Sequence, residues 1–454
     1  MVRFKALADQ VQADIGAGRL RPGDRLPTQR AFADARRIAM STATRVYTEL
    51  IRRGLVVGEV GRGTFVRTGP PTDGFALAQG ISGRINLATN VPLLPTQAAT
   101  LAASAAAMTR RSAVIGSAMN TVVASGTSSA RRAVAAFLAR PSTTPGTGGG
   151  WRPDPEALSF TGNGRQALAA VLAALVPAGQ RLGVEALSYQ SLTGIAARLG
   201  IEVVALPMDE HGLRVDGVRA AHRRSPLRAI YVQPTMHNPL GMTMPVKRRQ
   251  ELVRALRDLN VIGIEDHVYA FLVDDVSPLA SLAPDHVVMI DSLSKRVAPG
   301  LTIGWALAPT HLVPVIAEAI RASALVPSGL ALELGVRWIA DGTVARLIRD
   351  KRRDAARRQR LLRKACPDLT IQADPRAYHA WVELPGAWRA ESFTAAAAER
   401  GVAVAPATAF AVGAGHAPNA VRLALASPPH AVLIESLRML NALARSKPTA
   451  LPLE

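Results

Sequence analysis

Between Arg181 and Leu307 the chain repeats one pattern: a short apolar run, then a longer stretch with helical periodicity. Arg181–Val184, Glu202–Leu206, Ala229–Val232, Val261–Ile264, Val287–Ile290 and Thr302–Leu307 read as strands, with helices at Ser191–Leu199 and Val246–Leu259 among them. Parallel strands need crossovers of about a dozen residues or more, and helices supply them. The pattern therefore predicts an α/β fold, a mostly parallel sheet with helices on both faces. Sheets of this kind place ligands beyond the C-terminal ends of their strands. The polar residues that directly follow each apolar run are thus the ones to examine.

Those residues share a chemistry. Ser292-Leu-Ser-Lys295 follows Val287–Ile290, and a lysine at a strand end beside small hydroxyl residues can form a Schiff base with an aldehyde cofactor. Glu265-Asp-His-Val-Tyr269 follows Val261–Ile264. An aspartate there can keep a pyridinium nitrogen protonated, and a tyrosine three residues on can bond a phenolic oxygen. His237-Asn-Pro-Leu-Gly241 follows Ala229–Val232, and its asparagine can donate to the same oxygen. Thr161-Gly-Asn-Gly-Arg-Gln166 opens a helix expected at Ala167–Leu175, whose free N–H groups and dipole make a phosphate cradle.

Residues 1–68 have a different character: thirteen Lys and Arg against six Asp and Glu. Leu7, Val11 and Ile15 at four-residue spacing predict a first helix over Phe4–Ala17, ended by Gly18. A second helix starts near Pro27, with Thr28 as a cap, and a third runs from Ser41, also read as a cap, to Arg53. Leu55–Glu59 and Thr64–Arg67 form a hairpin around Gly61-Arg-Gly63. Three helices and a basic hairpin are the plan of a winged helix-turn-helix. Ser41, Thr42 and Arg45 then lie on one face at the start of the recognition helix, Arg30 reaches phosphate, and Arg62 stands at the wing tip.

Composition narrows the class. Net charge is +20, which favours polyanionic partners. A lone cysteine, Cys366, excludes a disulfide scaffold within the chain and a cysteine-rich zinc site. The nine histidines have no metal-binding spacing. Two uncharged stretches, Val297–Ala317 and Val402–Val421, are interrupted by Pro299, Pro309 and Pro314 and by Pro406 and Pro418, so neither reads as a membrane span. No signal peptide is visible, and a cytoplasmic protein is expected. Residues 69–84 read as a linker stiffened by Pro70-Pro71, Pro141–Gly150 as a loop, and Arg346–Lys364 as a strongly basic helix, read first as a solvated face.

The N-terminal segment resembles the GntR-type winged helix, through Gly23-Asp-Arg-Leu-Pro27, Arg30, Tyr47-x-x-Leu50, Gly54-Leu55 and Gly61-x-Gly-Thr-Phe-Val66. Ala39 and Met40 stand where that family usually has Ser-Arg. Residues 84–445 resemble fold-type I pyridoxal phosphate enzymes of the aspartate aminotransferase class, in the order and spacing of Asn-Pro, Asp-x-x-Tyr and Ser-x-Ser-Lys. The resemblance implies that Lys295 forms an internal aldimine with pyridoxal 5'-phosphate. It also implies that Asp266 pairs with the pyridine nitrogen, that Asn238 and Tyr269 bond the phenolic oxygen, and that Tyr189 stacks on the ring. Gly164, Arg165 and Ser292 would bind phosphate, and Arg422, in Val-Arg-Leu-Ala, a ligand carboxylate. The arginine usual seven or eight residues after the lysine is absent. Thr302 and Ile303 stand there, and Arg296 or Arg165 is the expected substitute. Leu187 replaces a usual proline, and no tyrosine lent by a neighbouring subunit is identifiable.

The fusion resembles MocR-type transcriptional regulators. By that resemblance the chain would be a homodimer, with the winged helix of one protomer often lying against the large domain of the other. It would bind a double-stranded DNA operator and respond to an amino-acid or amine effector through aldimine exchange at Lys295. The large domain is expected at about residues 150–320 and the small domain at 85–149 and 321–454. Two other readings stand beside it: a catalytically active aminotransferase, and a regulator that has lost its cofactor.

Overall fold

The computed structural model describes residues 3–17, 19–20, 24–59, 63–66, 85–110, 112–140, 150–413 and 417–447. Arg62, the linker at 69–84 and most of the loop at 141–150 lie outside them. By internal contacts the chain divides into two units. One comprises Met1–Asn90, Arg360–Ala373 and His379–Glu454, and the other Val91–Gln359 with Asp374–Tyr378.

The second unit holds a seven-stranded sheet in the order Leu158–Thr161, Gly304–Leu307, Val287–Ser292, Ile262–Asp266, Ala229–Val232, Arg181–Glu185, Glu202–Leu206. The last five run parallel in register, and Gly304–Leu307 runs antiparallel to both of its neighbours. Most of these strands are buried along their whole length, because helices cover both faces. The expected strands are all present, shifted by one or two residues at several ends. Leu158–Thr161 was not expected, since four residues beside a glycine-rich turn show no alternation.

Gly304 explains how this sheet sets up a site. A Cβ there would lie 2.4 Å from the carbonyl carbon of Asn163. Only glycine lets the strand pass so close to the turn that opens helix Gly164–Leu175. Below the sheet, Trp305 packs edge-on to Phe137, with ring centroids 6.5 Å apart, in a core that also takes Leu101, Val134 and Trp338. That packing differs from the expected domain division. Helices Gln97–Thr109, Ser128–Leu138 and Gly329–Ala340 bury their apolar faces in the sheet's own core, so 91–149 and 321–359 fall within the larger unit.

The first unit holds two separate cores. One is a four-stranded antiparallel sheet, Thr370–Gln372, His379–Glu383, Ala420–Ala424 and Ala405–Pro406, covered by helices Ala390–Glu399 and His430–Arg445. Cys366 is buried there with its Sγ on the Leu437 carbonyl, and burial pushes its thiol up to about 12, so it stays an inert thiol. The other core belongs to the N-terminal helices Arg3–Gly16, Gln29–Ala35 and Met40–Arg52 and the hairpin Val56–Glu59 with Gly63–Val66. Val11, Leu26, Phe32, Val46, Tyr47, Leu50 and Val66 fill it. Arg37, at φ +48°, takes the left-handed position in the turn between the second and third helices.

Candidate functional sites

Asp266 ends strand Ile262–Asp266 and is 6% exposed. One oxygen accepts from Tyr231 Oη at 2.6 Å and Gln233 Nε2 at 2.9 Å, and the other from the Val268 N–H at 3.0 Å. Burial pushes the carboxyl above its ordinary value, while the donors pull it back. Burial and the Asp266 charge together drive the Tyr231 phenol well up, so it remains a donor. A ring N–H⁺ beside this carboxylate would relieve its desolvation.

Gln233 ties that carboxylate to the asparagine loop. Its amide nitrogen serves Asp266, and its oxygen accepts the Asn238 N–H at 3.2 Å. The Gln233 N–H in turn donates to Glu185 at 2.9 Å, and the same Glu185 oxygen lies 3.4 Å from His237 Nε2. The Asn238–Pro239 peptide is cis. Buried Arg249 holds the loop from behind, donating to the carbonyls of Met244, Pro234 and Ser277 and to Thr235 Oγ1. Asn238 is thus fixed at backbone level, which positions its side chain.

Lys295 lies three residues past strand Val287–Ser292, with its Nζ 5.9 Å from the centroid of the buried Tyr269 ring. Ser292 Oγ accepts the Ser294 N–H at 3.3 Å, and Ser294 and Thr302 hydroxyls meet at 3.1 Å. Gly164 faces this loop: a Cβ on it would touch Ser292 Oγ at 3.3 Å and Val268 at 3.4 Å. Asn163 caps the helix through Gln166 N, at 3.0 Å. Half-buried Tyr189 joins the group. Desolvation raises its phenol, Arg165 opposes that, and Asp266 and Tyr269 also act on it. The larger unit therefore gathers Gly164, Arg165, Tyr189, Asp266, Tyr269, Ser292 and Lys295, with Asn238 linked to Asp266 through Gln233.

Arg296 does not join them. Its guanidinium, 1% exposed, pairs with Asp291, donates to the Ser292 carbonyl at 2.9 Å, and lies 5.6 and 5.3 Å from the Phe137 and Phe271 ring centroids. The expectation that it substitutes for a phosphate-binding arginine is corrected: the side chain turns into the core to neutralise a buried carboxylate. Ile303 is buried against Gly335. Thr302 presents a hydroxyl where the missing arginine would stand. The donor set still suits pyridoxal phosphate: a buried acid for the ring nitrogen, an amine beside an aromatic ring, and hydroxyls with a glycine-opened helix start for an anion. Tyr231, Gln233 and Glu185 are parts of this arrangement that sequence reasoning missed, and His237 and Thr302, named in the sequence, gain their contacts only here. Gln233 and Tyr231, polar groups at the end of an apolar strand, were the available signal.

Arg422, on strand Ala420–Ala424, belongs to the other unit. It is buried, donates to the Ala88 carbonyl, and lies 5.0 Å over the Phe410 ring.

On the winged helix, Arg30, Ser41 and Arg45 are exposed and Thr42 is half-buried. Arg45 stacks on the Phe4 ring, 4.3 Å from its centroid. Thr28 caps the second helix as expected, accepting from Ala31 N. Ser41 is not a cap. The third helix starts one residue earlier, and its N-cap is Ala39, which has no side chain able to bond the first turn. That leaves the Ser41 hydroxyl and the helix N-terminus facing outward, a suitable arrangement for a phosphate. Among the described residues, no cluster of His, Cys, Asp or Glu suits a metal, and no helix is long and apolar enough to cross a membrane.

A seven-stranded sheet with a lysine past one strand end and a buried aspartate at the end of the neighbouring strand defines the class of pyridoxal phosphate aminotransferase folds. An archaeal alanine:glyoxylate aminotransferase superimposes with a TM-score of 0.72 at 22% identity, covering 83% of this chain and 96% of that one. Residues 82–440 match the family "Aminotransferase class I and II" and residues 4–66 match "Bacterial regulatory proteins, gntR family". The chain belongs to the class I and II aminotransferase family, in the form in which a GntR-type helix-turn-helix precedes the aminotransferase domain, the MocR type of transcriptional regulator. Similar proteins include the uncharacterized HTH-type transcriptional regulator YdeF of Bacillus subtilis (strain 168), 28% identical over 94% of this chain and 90% of that one. The pyridoxine biosynthesis regulator PdxR of Corynebacterium glutamicum is 26% identical over 80% of this chain and 78% of its own length. The cofactor of this family is pyridoxal phosphate.

Proposed function

We propose that this transcriptional regulator binds double-stranded DNA as a homodimer in the cytoplasm, and that its aminotransferase-like domain reads an amino-acid or amine effector at Lys295. Pyridoxal phosphate, when bound, would supply an aldehyde carbon reactive toward amines. Asp266, held by Tyr231 and Gln233, would keep a proton on the ring nitrogen. Tyr269 and Asn238 would orient the phenolic oxygen, and Tyr189 would cover the ring. Ser292, Gly164 and Arg165 would hold the phosphate, and Arg422 would take the effector's carboxylate. On the DNA side, Arg30, Arg45 and Arg62 neutralise phosphates while Ser41 and Thr42 reach base edges. Only an effector that binds two states of the protein unequally can shift DNA affinity.

One observation carries this reading. Lys295 lies against Tyr269 in a buried polar site, within a chain that also presents an exposed cationic helix start. The decisive experiment is Lys295→Ala, read by visible absorbance of the added cofactor and by operator binding during a titration with amino acids and amines. Loss of both the absorbance and the effector response supports the proposal. An effector response that survives without the absorbance overturns it. Steady multi-turnover transamination with a keto acid, without preference for upstream DNA, would instead identify an enzyme.

A further inference from the structure

The long helix Thr343–Ala365 carries a lysine that no sequence motif singles out. Lys351 is 0% exposed. Its Nζ donates to the carbonyl of Lys295 at 3.0 Å and to that of Val297 at 2.7 Å. Val297 O also accepts Gln97 Nε2 at 2.8 Å. The backbone of the lysine loop is therefore gripped from two helices, and one grip is a buried cation. Burying an ammonium is costly unless it is paired, and here it donates to neutral carbonyls of the very loop that bears Lys295.

The charges around Lys351 are few. Lys295 repels it, and Asp354, one turn along the same helix, attracts it. Asp354 also accepts Arg358 Nε at 2.7 Å and lies 3.0 Å from Tyr378 Oη, which sits 2.9 Å from the Lys351 carbonyl. Burial holds the Tyr378 phenol far above its usual range, so it contributes no charge. Gln97, from the other helix, is neutral.

Resting on the reading of Lys295 as the aldehyde-reactive amine, we infer that Lys351 is a positioning residue for it: its ammonium pins the Lys295 loop, and its charge favours the neutral, nucleophilic form of the Lys295 amine. An amine must lose its proton before it attacks a carbonyl, and a neighbouring cation promotes that loss. The repulsion is mutual. Burial, and after it Lys295, bring Lys351 itself down to about 7.

The test separates charge from grip. Lys351→Met removes both, and Lys351→Gln keeps a donor without the charge. Each holoprotein is titrated with pH while its visible absorbance is followed, after thermal melting has shown that it folds. Both variants should protonate the chromophore with a midpoint raised by roughly one unit. The Met variant should also retain the cofactor about tenfold more weakly than wild type, with the Gln variant between the two. Midpoints unchanged in folded variants would overturn the inference while leaving Lys295 in its role. A wild-type protein with no visible band would instead overturn the underlying reading.

Discussion

On the winged helix, Arg30, Ser41 and Arg45 stand in solvent, and Arg45 stacks on the Phe4 ring. Around Lys295, in contrast, Asp266, Tyr231, Gln233, Glu185 and His237 are buried, and Gln233 alone bonds Asp266, Glu185 and Asn238. The first arrangement collects small, independent, salt-screened increments. The second is a connected network in low dielectric, where removing one member strands its partners. Substitutions should therefore act gradually on one surface and abruptly in the other region.

The sharpest break is expected at Arg296. Arg296→Met leaves Asp291 buried and unneutralised, so the protein should lose about 3–5 kcal/mol in denaturant unfolding. Adding Asp291→Asn should restore part of it. If Arg296 instead held phosphate, cofactor affinity would fall with stability intact. Asp266→Asn comes next. Cofactor affinity, measured by equilibrium dialysis, should drop about thirtyfold, roughly 2 kcal/mol. The apoprotein should respond oppositely. The folded Asp266 carboxyl lies above its unfolded value of 3.8, so the native state binds more protons in that window and loses stability as pH rises through it. Asparagine escapes that loss, so the variant apoprotein should melt higher near neutral pH.

Effects on the DNA face should be smaller. Arg45→Ala should weaken operator binding roughly tenfold and flatten the log-affinity against log-salt slope by about 0.9, with the absorbance spectrum unchanged. Ser41→Ala should change stability by less than about 0.5 kcal/mol in thermal melts while still weakening DNA binding, because Ser41 caps nothing. Thr28→Ala, which removes a real cap, should cost about 1 kcal/mol. An equal cost at both positions would put the helix start back at Ser41.

Much of this protein was legible from its residues. Local signals carried the strands from Arg181 to Val232, the winged helix order, and the polar residues after Val287–Ile290 and Val261–Ile264, because strand and helix periodicity and the strand-end rule depend only on nearby sequence. Four features were not legible. The pairing of Arg296 with Asp291, the Gln233 bridge between Asp266 and Asn238, the neighbours of Gly164, and the Lys351 grip on Lys295 from 56 residues away all depend on which side chains meet after the chain has folded. An arginine next to the key lysine has the same sequence signal whether it binds an anion or fills a core. Burial decides between them, and burial is a property of the whole packed sheet and its helices.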